Sequence, residues 1–199
     1  MLDAAPTARP TDAARLAALP RGRGEGRVSA VVRDGRSRLG ELRQAGSARI
    51  FLPRLPGDPE AVLLNTGGGL AGGDRFDWSA EAGPGAVLTV ATQAAERVYR
   101  ALPGTEARVV TRLRLGAGAR LDWLPQETIL FEGGALVRRL EIDMAGDARL
   151  LAVEPLALGR AASGETVGAA RLADAWRLRR DGRLAWAVVE AAGRADVVR

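Results

Sequence analysis

The sequence predicts a mainly β protein, in which stacked antiparallel or mixed sheets are built from repeated strand–turn–strand units with about two short helices. From residue 27 onward, short segments alternate apolar and polar residues and end at glycine, proline or Asp-Gly turns. The glycine turns also recur: turns at Ala86, Ala119, Ala148 and Gly182 follow one another at nearly equal spacing in the sequence. This repeat indicates stacked β units that share a core, although four hairpins of one antiparallel sheet would give the same pattern.

The length of 199 residues suits one domain with a sizeable core. Residues 1–26 are rich in Ala, Pro, Arg and Gly, and we expect them to form a flexible leader before a single β-rich domain at 27–199. The net charge of +5 comes from basic residues that are all arginine and are spread along the chain. Few aromatic residues lie near them, so the pattern does not predict nucleic-acid binding.

The chain contains neither cysteine nor histidine. This excludes disulfides, thiolate or imidazole metal sites, and a Ser-His-Asp triad from this sequence. A metal ion would have to be held by carboxylates, carbonyls and water. No run of about 18 apolar residues and no secretion signal occur, so we expect a cytoplasmic protein that does not bind membranes.

The first half of the chain supplies the early strands. A helical pattern at 12–19 stops at Pro20. Strands are then predicted at 27–33, 37–43, 49–52 and 61–64, with a turn at Asp34-Gly35 and an exposed proline-rich loop at 53–59.

The second half contains the clearest strands, at 106–115, 136–144 and 184–190. Two segments interrupt the strand pattern. Residues 92–97 are compatible with one helical turn, and residues 156–165 form a loop rich in small residues.

Five glycines occupy seven positions at 67–73. Gly67, Gly69 and Gly72 satisfy G-x-G-x-x-G, but a dinucleotide site requires a helix after this motif. The next residues, 74–80, alternate as a strand does, so a nucleotide site is not predicted. Glycine instead permits positive φ and close approach of the backbone to a neighbouring surface.

Four stretches together resemble the urease accessory protein UreD (UreH) family. They are LLNTGGGLAGGD at 63–74, ATQAAERVYR at 91–100, LPQETILF at 124–131 and LGRAASGE at 158–165. The similarity covers residues 27–190 approximately. Many members carry His-Pro-Pro where this chain has Asn65-Thr66-Gly67, so an imidazole ligand cannot be carried over. Members generally continue further, which suggests C-terminal truncation and an open sheet edge.

The resemblance implies a non-catalytic scaffold for urease maturation. Such proteins bind the urease apoprotein together with UreF and the GTPase UreG, and assist insertion of nickel. No cofactor is expected to bind tightly, and nickel is expected only in transit, because oxygen ligands hold Ni²⁺ more weakly than nitrogen or sulfur ligands do.

Three acidic residues within the motifs are candidates for a hydrated nickel path, namely Asp74, Glu127 and Glu165. The alternative is that each carboxylate accepts hydrogen bonds from backbone amides of a tight turn. Arg100 or Arg160 could pair with one of these acids, and the position of Tyr99 at a strand end favours the core over an interface. The other motif residues are expected to be structural: Gly68, Gly69, Gly72, Gly73, Pro125, Gln126, Gly159 and Gly164.

An alternative from another class is a β-rich hydrolase in which Asp74 acts with Glu127 or Glu165 as an acid/base pair. Such a pair requires two carboxylates that converge in a cleft of substrate size.

Overall fold

The computed structural model describes residues 20–54 and 56–192. The fold is mainly β, which confirms the predicted fold class. The strands are β1 (Arg23–Arg33), β2 (Arg36–Gly46), β3 (Ala48–Phe51), β4 (Glu60–Asn65), β5 (Arg75–Ala82), β6 (Val87–Thr92), β7 (Glu96–Val98), β8 (Ala107–Leu115), β9 (Arg120–Leu124), β10 (Thr128–Leu130), β11 (Ala135–Met144), β12 (Arg149–Ala152), β13 (Leu156–Leu158), β14 (Arg171–Arg180) and β15 (Arg183–Ala192).

The strands form three sheets. The large sheet has the order β15-β14-β11-β8-β5-β1-β2, the middle sheet β12-β9-β6-β4-β3, and the small sheet β13-β10-β7. From β5 to β13 the chain makes three successive turns, and each turn visits the large, middle and small sheets in that order. The strands of successive turns pair in parallel in every sheet.

The repeat seen in the sequence corresponds to these stacked turns. Arg75 pairs with Arg108 and Arg108 with Val137, so each parallel pairing joins residues that lie one repeat apart in the chain. The fourth copy differs, because β14 and β15 form an antiparallel hairpin around Asp181, which has a φ of 52°. The stacked-turn interpretation is therefore confirmed for the copies at Ala86, Ala119 and Ala148, and only the fourth copy is an antiparallel hairpin.

An alanine column lines the corner between the large and middle sheets. Ala86, Ala119 and Ala148 are buried at equivalent positions of the three turns. Backbone hydrogen bonds connect these corners, since Arg120 N donates to Ala86 O at 2.9 Å and Arg149 N to Ala119 O at 2.8 Å. Parallel strands stack about 4.8 Å apart, so the column leaves little room for larger side chains.

Inward-facing side chains from the large and middle sheets form a continuous core. The largest fully buried ones include Phe76, Leu88, Leu113, Leu121, Leu140 and Ile142. Small residues allow the bulky ones to approach, because a Cβ on Gly26 would lie 2.3 Å from Cζ3 of Trp78. Close packing across these layers positions the loops at the other corners of the coil.

Helical structure is scarcer than the sequence suggested. Within the described residues the only helix is a short 3-10 turn, Ala161–Ser163. Residues 92–97 form a bend and the start of β7 instead of a helical turn, because Glu96 N donates to Glu127 O of the next turn of the coil at 2.9 Å. The helical pattern at 12–19 lies outside the described residues. The first strand begins at Arg23, earlier than the predicted start at residue 27.

Strands β12, β13 and β15 each lie at the edge of a sheet. They and the residue after β12 carry apolar side chains with large exposed fractions: Leu151, Val153, Leu156, Leu158, Leu184, Trp186 and Val189. Unpaired edges of this kind favour association with other strands. Among the described residues, no helix is long and apolar enough to span a membrane.

The alanine column predicts a specific intolerance to larger residues. We expect Ala119→Leu to lower the free energy of unfolding by about 1–3 kcal/mol, because extra methyl groups in a packed column force the backbone apart. Ala117→Leu is the matched control, since Ala117 lies in the same turn but is exposed. Denaturant unfolding checks this, and equal stability of the two variants would contradict the proposed packing constraint.

Candidate functional site

The four stretches that resemble the UreD motifs meet at the small sheet. Leu70 of the glycine stretch forms a parallel bridge with Val98 of β7. Val98 also pairs with Leu130 of β10, and Leu130 pairs with Leu158 of β13, so these residues form one column across the small sheet. Leu70 N donates to Arg97 O at 2.7 Å, so the glycine stretch adds one rung to this sheet. Segments that are well separated in sequence thus become neighbours.

The glycines let the first stretch lie against the second. A Cβ on Gly69, whose φ is 144°, would lie 2.4 Å from Cε2 of Tyr99. A Cβ on Gly72 would lie 2.1 Å from Oγ1 of Thr105. The hydroxyl of Tyr99 also donates to the carbonyl of Gly68 at 2.8 Å. The predicted close approach of backbone at this stretch is therefore present, and no helix follows it, because β5 begins at Arg75.

Asp74 is buried and its two oxygens are occupied by backbone amides. Oδ1 accepts from Gly22 N at 2.7 Å, and Oδ2 accepts from Ala71 N at 2.8 Å. The carboxylate thus ties the glycine stretch to the segment before β1. This geometry corresponds to the backbone-binding interpretation of Asp74.

Glu165 binds the loop that contains the fourth motif. Its Oε2 accepts from the backbone N of Arg160 at 3.1 Å and from Arg160 Nε at 2.9 Å, and its Oε1 accepts from Glu132 N at 3.3 Å. The hydrogen bond from the Arg160 side chain is the largest cause that lowers the pKa of Glu165. Arg160 therefore pairs with a motif acid, as the sequence suggested. Glu132 in turn accepts from Gly168 N at 2.7 Å.

Glu127 differs from the other two acids. Its backbone carbonyl belongs to the small sheet, but its half-buried side chain makes no hydrogen bond or ion pair within the described part of the chain. No hydrogen bond or shared partner in that part joins Asp74 to Glu127 or Glu165, so the structure shows no acid/base pair of the kind that the hydrolase hypothesis requires. Among residues 20–54 and 56–192, no three acidic side chains are grouped closely enough to hold a metal ion.

Aromatic and arginine side chains stack across the outside of the small sheet. The ring of Tyr99 contacts Phe131 edge to face with centroids 5.5 Å apart. Cζ of Arg160 lies 4.6 Å from the Phe131 centroid, in a cation–π contact. Arg97 is exposed two residues before Tyr99, on the same side of β7. We call Arg97, Tyr99, Phe131 and Arg160 the motif surface.

The assignment of Tyr99 to the core is wrong, because 36% of this residue is exposed. It follows the short strand β7, and its ring leans over the glycine stretch rather than into the coil. Arg100 does not pair with an acid in the described chain either. Its side chain packs beside Gly133, and its backbone forms an isolated bridge with Gly134.

The remaining motif residues have structural contacts. Gln126 N donates to Thr92 Oγ1 at 2.9 Å, which connects the third motif to the second. Pro125 and Gln126 line an interior cavity. Gly159 and Gly164 have φ values of 68° and 67°, which glycine adopts without strain.

A surface cleft leads from the glycine stretch toward the interior. The cleft has a volume of about 180 Å³ and is lined by Asn65, Gly68, Gly69 and the bend at 92–97. An interior cavity of about 60 Å³ shares Leu63, Trp78, Thr92 and Glu96 with the cleft. Glu96 therefore lies where the two spaces meet.

Glu96 is the acidic group among the residues that line this cleft. Burial raises its pKa to about 7, and the charge of Asp74 adds to this rise. Asn65 Nδ2 opposes it by donating to both carboxylate oxygens, at 3.3 and 3.2 Å. The same amide donates to Gly69 O at 3.0 Å, so Asn65 connects the acid to the glycine stretch.

A buried charge network lies at the inner end of the cavity. Arg138 donates to both oxygens of Asp174, and its Nη1 lies 3.3 Å from Oγ1 of Thr128. Oε2 of Glu154 is 3.3 Å from Arg138 Nε but makes no hydrogen bond in the described chain, whereas Oε1 accepts from Trp123 Nε1 at 2.9 Å. Burial raises the pKa of Glu154, and the charge of Arg138 opposes that rise.

The sequence analysis missed Glu96, Arg138 and Glu154. Strand alternation could have identified two of them, because Glu96 shares a face with the buried Val98, and Arg138 shares one with the buried Leu136 and Leu140. Glu154 follows the short edge strand β12, where no alternation pattern indicates its direction.

The fold and the site define a class: a β protein of stacked turns whose motifs form one exposed aromatic–arginine surface. Residues 22–190 match the family model described as UreD urease accessory protein. Three relatives are each called urease accessory protein UreD. The chain is 54% identical to that of Chelativorans sp. (strain BNC1) over 169 residues, 54% to that of Rhizobium rhizogenes (strain K84 / ATCC BAA-868) over 165, and 49% to that of Brucella suis (strain ATCC 23445 / NCTC 10510) over 167.

These alignments cover 84%, 82% and 83% of this chain, and 61%, 60% and 60% of the respective relatives. The chain belongs to the UreD family of urease accessory proteins. It spans about 60% of the length of these relatives.

The raised pKa of Glu96 predicts a pH-dependent stability. The carboxyl group of Glu96 holds its proton more tightly in the folded than in the unfolded protein. Its contribution to the free energy of unfolding is therefore complete below pH 4.5 and is lost as the pH rises to about 7. We expect Glu96→Gln, relative to wild type, to gain on the order of 2 kcal/mol of unfolding free energy between pH 5 and 8. Denaturant unfolding at both pH values measures this. Glu81→Gln controls for the loss of one charge, and a pH-independent difference for Glu96→Gln would contradict the interpretation.

The buried network predicts a large cost for removing its cation. Arg138→Met leaves the carboxylates of Asp174 and Glu154 buried without the cation that faces them, and we expect a loss of roughly 3–5 kcal/mol in the free energy of unfolding. Arg139→Met is the control, because the neighbouring side chain is exposed on the other face of β11. If both variants unfold at the wild-type denaturant concentration, the network does not stabilise the fold.

Proposed function

We propose that this chain is a non-catalytic scaffold for urease maturation, which binds the urease apoprotein together with UreF and the GTPase UreG. Membership in the UreD family supports a role in urease maturation. We also propose a cytoplasmic location, because UreG requires GTP.

The observation that carries this proposal is the assembly of all four motif stretches into one exposed region. Tyrosine and arginine are enriched among residues that dominate binding energy at protein interfaces. Here Tyr99, Phe131 and Arg160 are held in a defined stack by the small sheet and by Glu165. A surface that is fixed before binding loses less conformational entropy on association. We infer that partner proteins contact this motif surface.

The candidate acids also fit a scaffold better than an enzyme. Asp74 and Glu165 accept hydrogen bonds from the protein's own amides, so their roles in the turns account for their positions. A general acid or base needs a free proton site within reach of a substrate. The proposed GTP hydrolysis belongs to UreG, which agrees with a glycine stretch that is followed by a strand and not by the helix of a nucleotide-binding motif.

Nickel enters this proposal as cargo, not as a resident cofactor. A chain without histidine or cysteine offers mainly oxygen ligands, which favour release over retention of Ni²⁺. The cleft and the interior cavity meet at Glu96, and Glu127 has a carboxylate without bonds in the described chain. We propose that Glu96 and Glu127 are the acids available to a passing ion, whereas the carboxylates of Asp74 and Glu165 are already bound within the chain.

The test of this function is assembly followed by metal analysis. We expect the tagged chain to co-purify with UreF, UreG and urease apoprotein when all are co-expressed in cells that lack their own UreD. Urease from these cells should contain more nickel, measured by mass spectrometry, than urease from cells without the chain. Equal nickel contents with and without the chain would contradict the proposed function.

Matched variants separate the motif surface from the rest of the chain. We expect Arg97→Glu and Tyr99→Ser to reduce co-purification at least tenfold, because both remove contacts from the motif surface. Arg38→Glu is the control, since Arg38 is an exposed arginine of β2 on a different sheet. Equal recovery with all three variants would place the partner interface elsewhere.

A further inference from the structure

The outer face of the large sheet carries an excess of arginine. Strand alternation directs eight arginines of β5, β8, β11 and β14 outward but only four acids. The arginines are Arg75, Arg108, Arg112, Arg114, Arg139, Arg171, Arg177 and Arg179, and the acids are Asp77, Glu81, Glu141 and Asp143. The outer face of these four strands therefore carries a net positive charge.

The arginines of this face differ in whether they have acidic partners. Arg112 lies 3.0 Å from Asp77 and 3.3 Å from Glu141, and it draws both acids toward the middle of the sheet. Arg139 and Arg177 make no ion pair or hydrogen bond through their side chains within the described residues. An exposed guanidinium without a carboxylate is available to a partner's carboxylate, which it can bind through two parallel hydrogen bonds.

A shallow groove runs between these two arginines. Its volume is about 190 Å³ and its lining includes Val137, Ala173, Ala175 and Val189 together with Arg139 and Arg177. The two alanines of β14 are small and face outward, so the groove follows this strand between the side chains of β11 and β15. Val189 is 66% exposed, which leaves an apolar wall in contact with solvent.

We propose that this groove docks an acidic segment of a partner protein, with one apolar side chain in the groove and flanking carboxylates on Arg139 and Arg177. The apolar lining accepts the anchor, and the two cations fix its flanks by charge complementarity. This surface is separate from the motif surface, because it lies on the large sheet. The inference goes beyond the proposed function and does not depend on it.

The dimensions and chemistry favour a protein segment over other ligands. Small-molecule sites usually enclose roughly 300–1,000 Å³, and this groove is smaller. A single-stranded nucleic acid requires aromatic platforms beside the cations, and none of the described residues that line this groove is aromatic. Glu141 also lines the groove, but its carboxylate lies 3.3 Å from Arg112 Nε, so its negative charge is offset by that guanidinium.

The test uses the full chain and a defined probe, the peptide acetyl-Glu-Glu-Leu-Glu-Glu-amide, in nuclear magnetic resonance titrations. We expect the peptide to shift the amide signals of Ala173, Ala175 and Val189 at low salt, with saturation at millimolar concentration. The double variant Arg139→Glu/Arg177→Glu and the single variant Ala175→Trp should each weaken binding at least tenfold, because one reverses the charge and the other fills the groove.

The controls exchange one feature at a time. Arg75→Glu/Arg114→Glu reverses two charges on the same face that have no acidic partner in the described chain, and we expect less than a threefold change in affinity. The peptide acetyl-Lys-Lys-Leu-Lys-Lys-amide and a thymidine oligonucleotide should not shift the groove signals. The inference is overturned if the acidic peptide leaves these amides unshifted, if both charge-reversed proteins bind equally, or if the oligonucleotide shifts the same amides.

Discussion

The register of the parallel ladders is the constraint on which the rest of this structure depends. Each turn of the coil pairs with the next through backbone hydrogen bonds in all three sheets, so equivalent residues form columns. Between any two successive turns, the paired residues of the large sheet and those of the middle sheet are separated by the same number of sequence positions. The paired residues of the small sheet are separated by slightly fewer positions. A slip of a single position would exchange the inward and outward side chains of a strand. The same register brings Leu70, Val98, Leu130 and Leu158 together and thereby assembles the motif surface.

The polar side chains inside the coil are bound by other residues of the same chain, which is consistent with a rigid scaffold. The Arg138 guanidinium is held by Asp174, Thr128 and Glu154, and Glu96 is held by Asn65 beside the cleft. Buried ion pairs of this kind contribute little net stability, but loss of one partner is costly, so they oppose alternative packing. Asp74 and Glu165 likewise serve the geometry of the turns. The family's motifs thus shape a surface and a cleft, and the structure assigns most of their polar atoms to partners within the chain.

Much of the fold could be predicted from the sequence. Alternation predicted strands such as 106–115 and 136–144 almost to the residue, and the repeat of Ala86, Ala119 and Ala148 predicted stacked turns. The site was less accessible to sequence reasoning. Whether Tyr99 is exposed depends on a cross-turn contact with Gly68, and the pairing of Arg138 with Asp174 joins strands whose register no local pattern reveals. Residues 92–97 form a bend that leads into β7 because hydrogen bonds to the next turn of the coil outweighed a weak helical preference.

Hydroxyl-radical footprinting tests most directly whether the stacked motif stretches form a surface for partner proteins. The measurement compares the chain alone with the chain in complex with urease apoprotein and UreF. We predict that oxidation of Tyr99 and Phe131 falls several-fold in the complex, because the exposed Tyr99 and the half-buried Phe131 both belong to the motif surface. Unchanged oxidation of both residues in a complex that protects other parts of the chain would contradict this role of the motif surface.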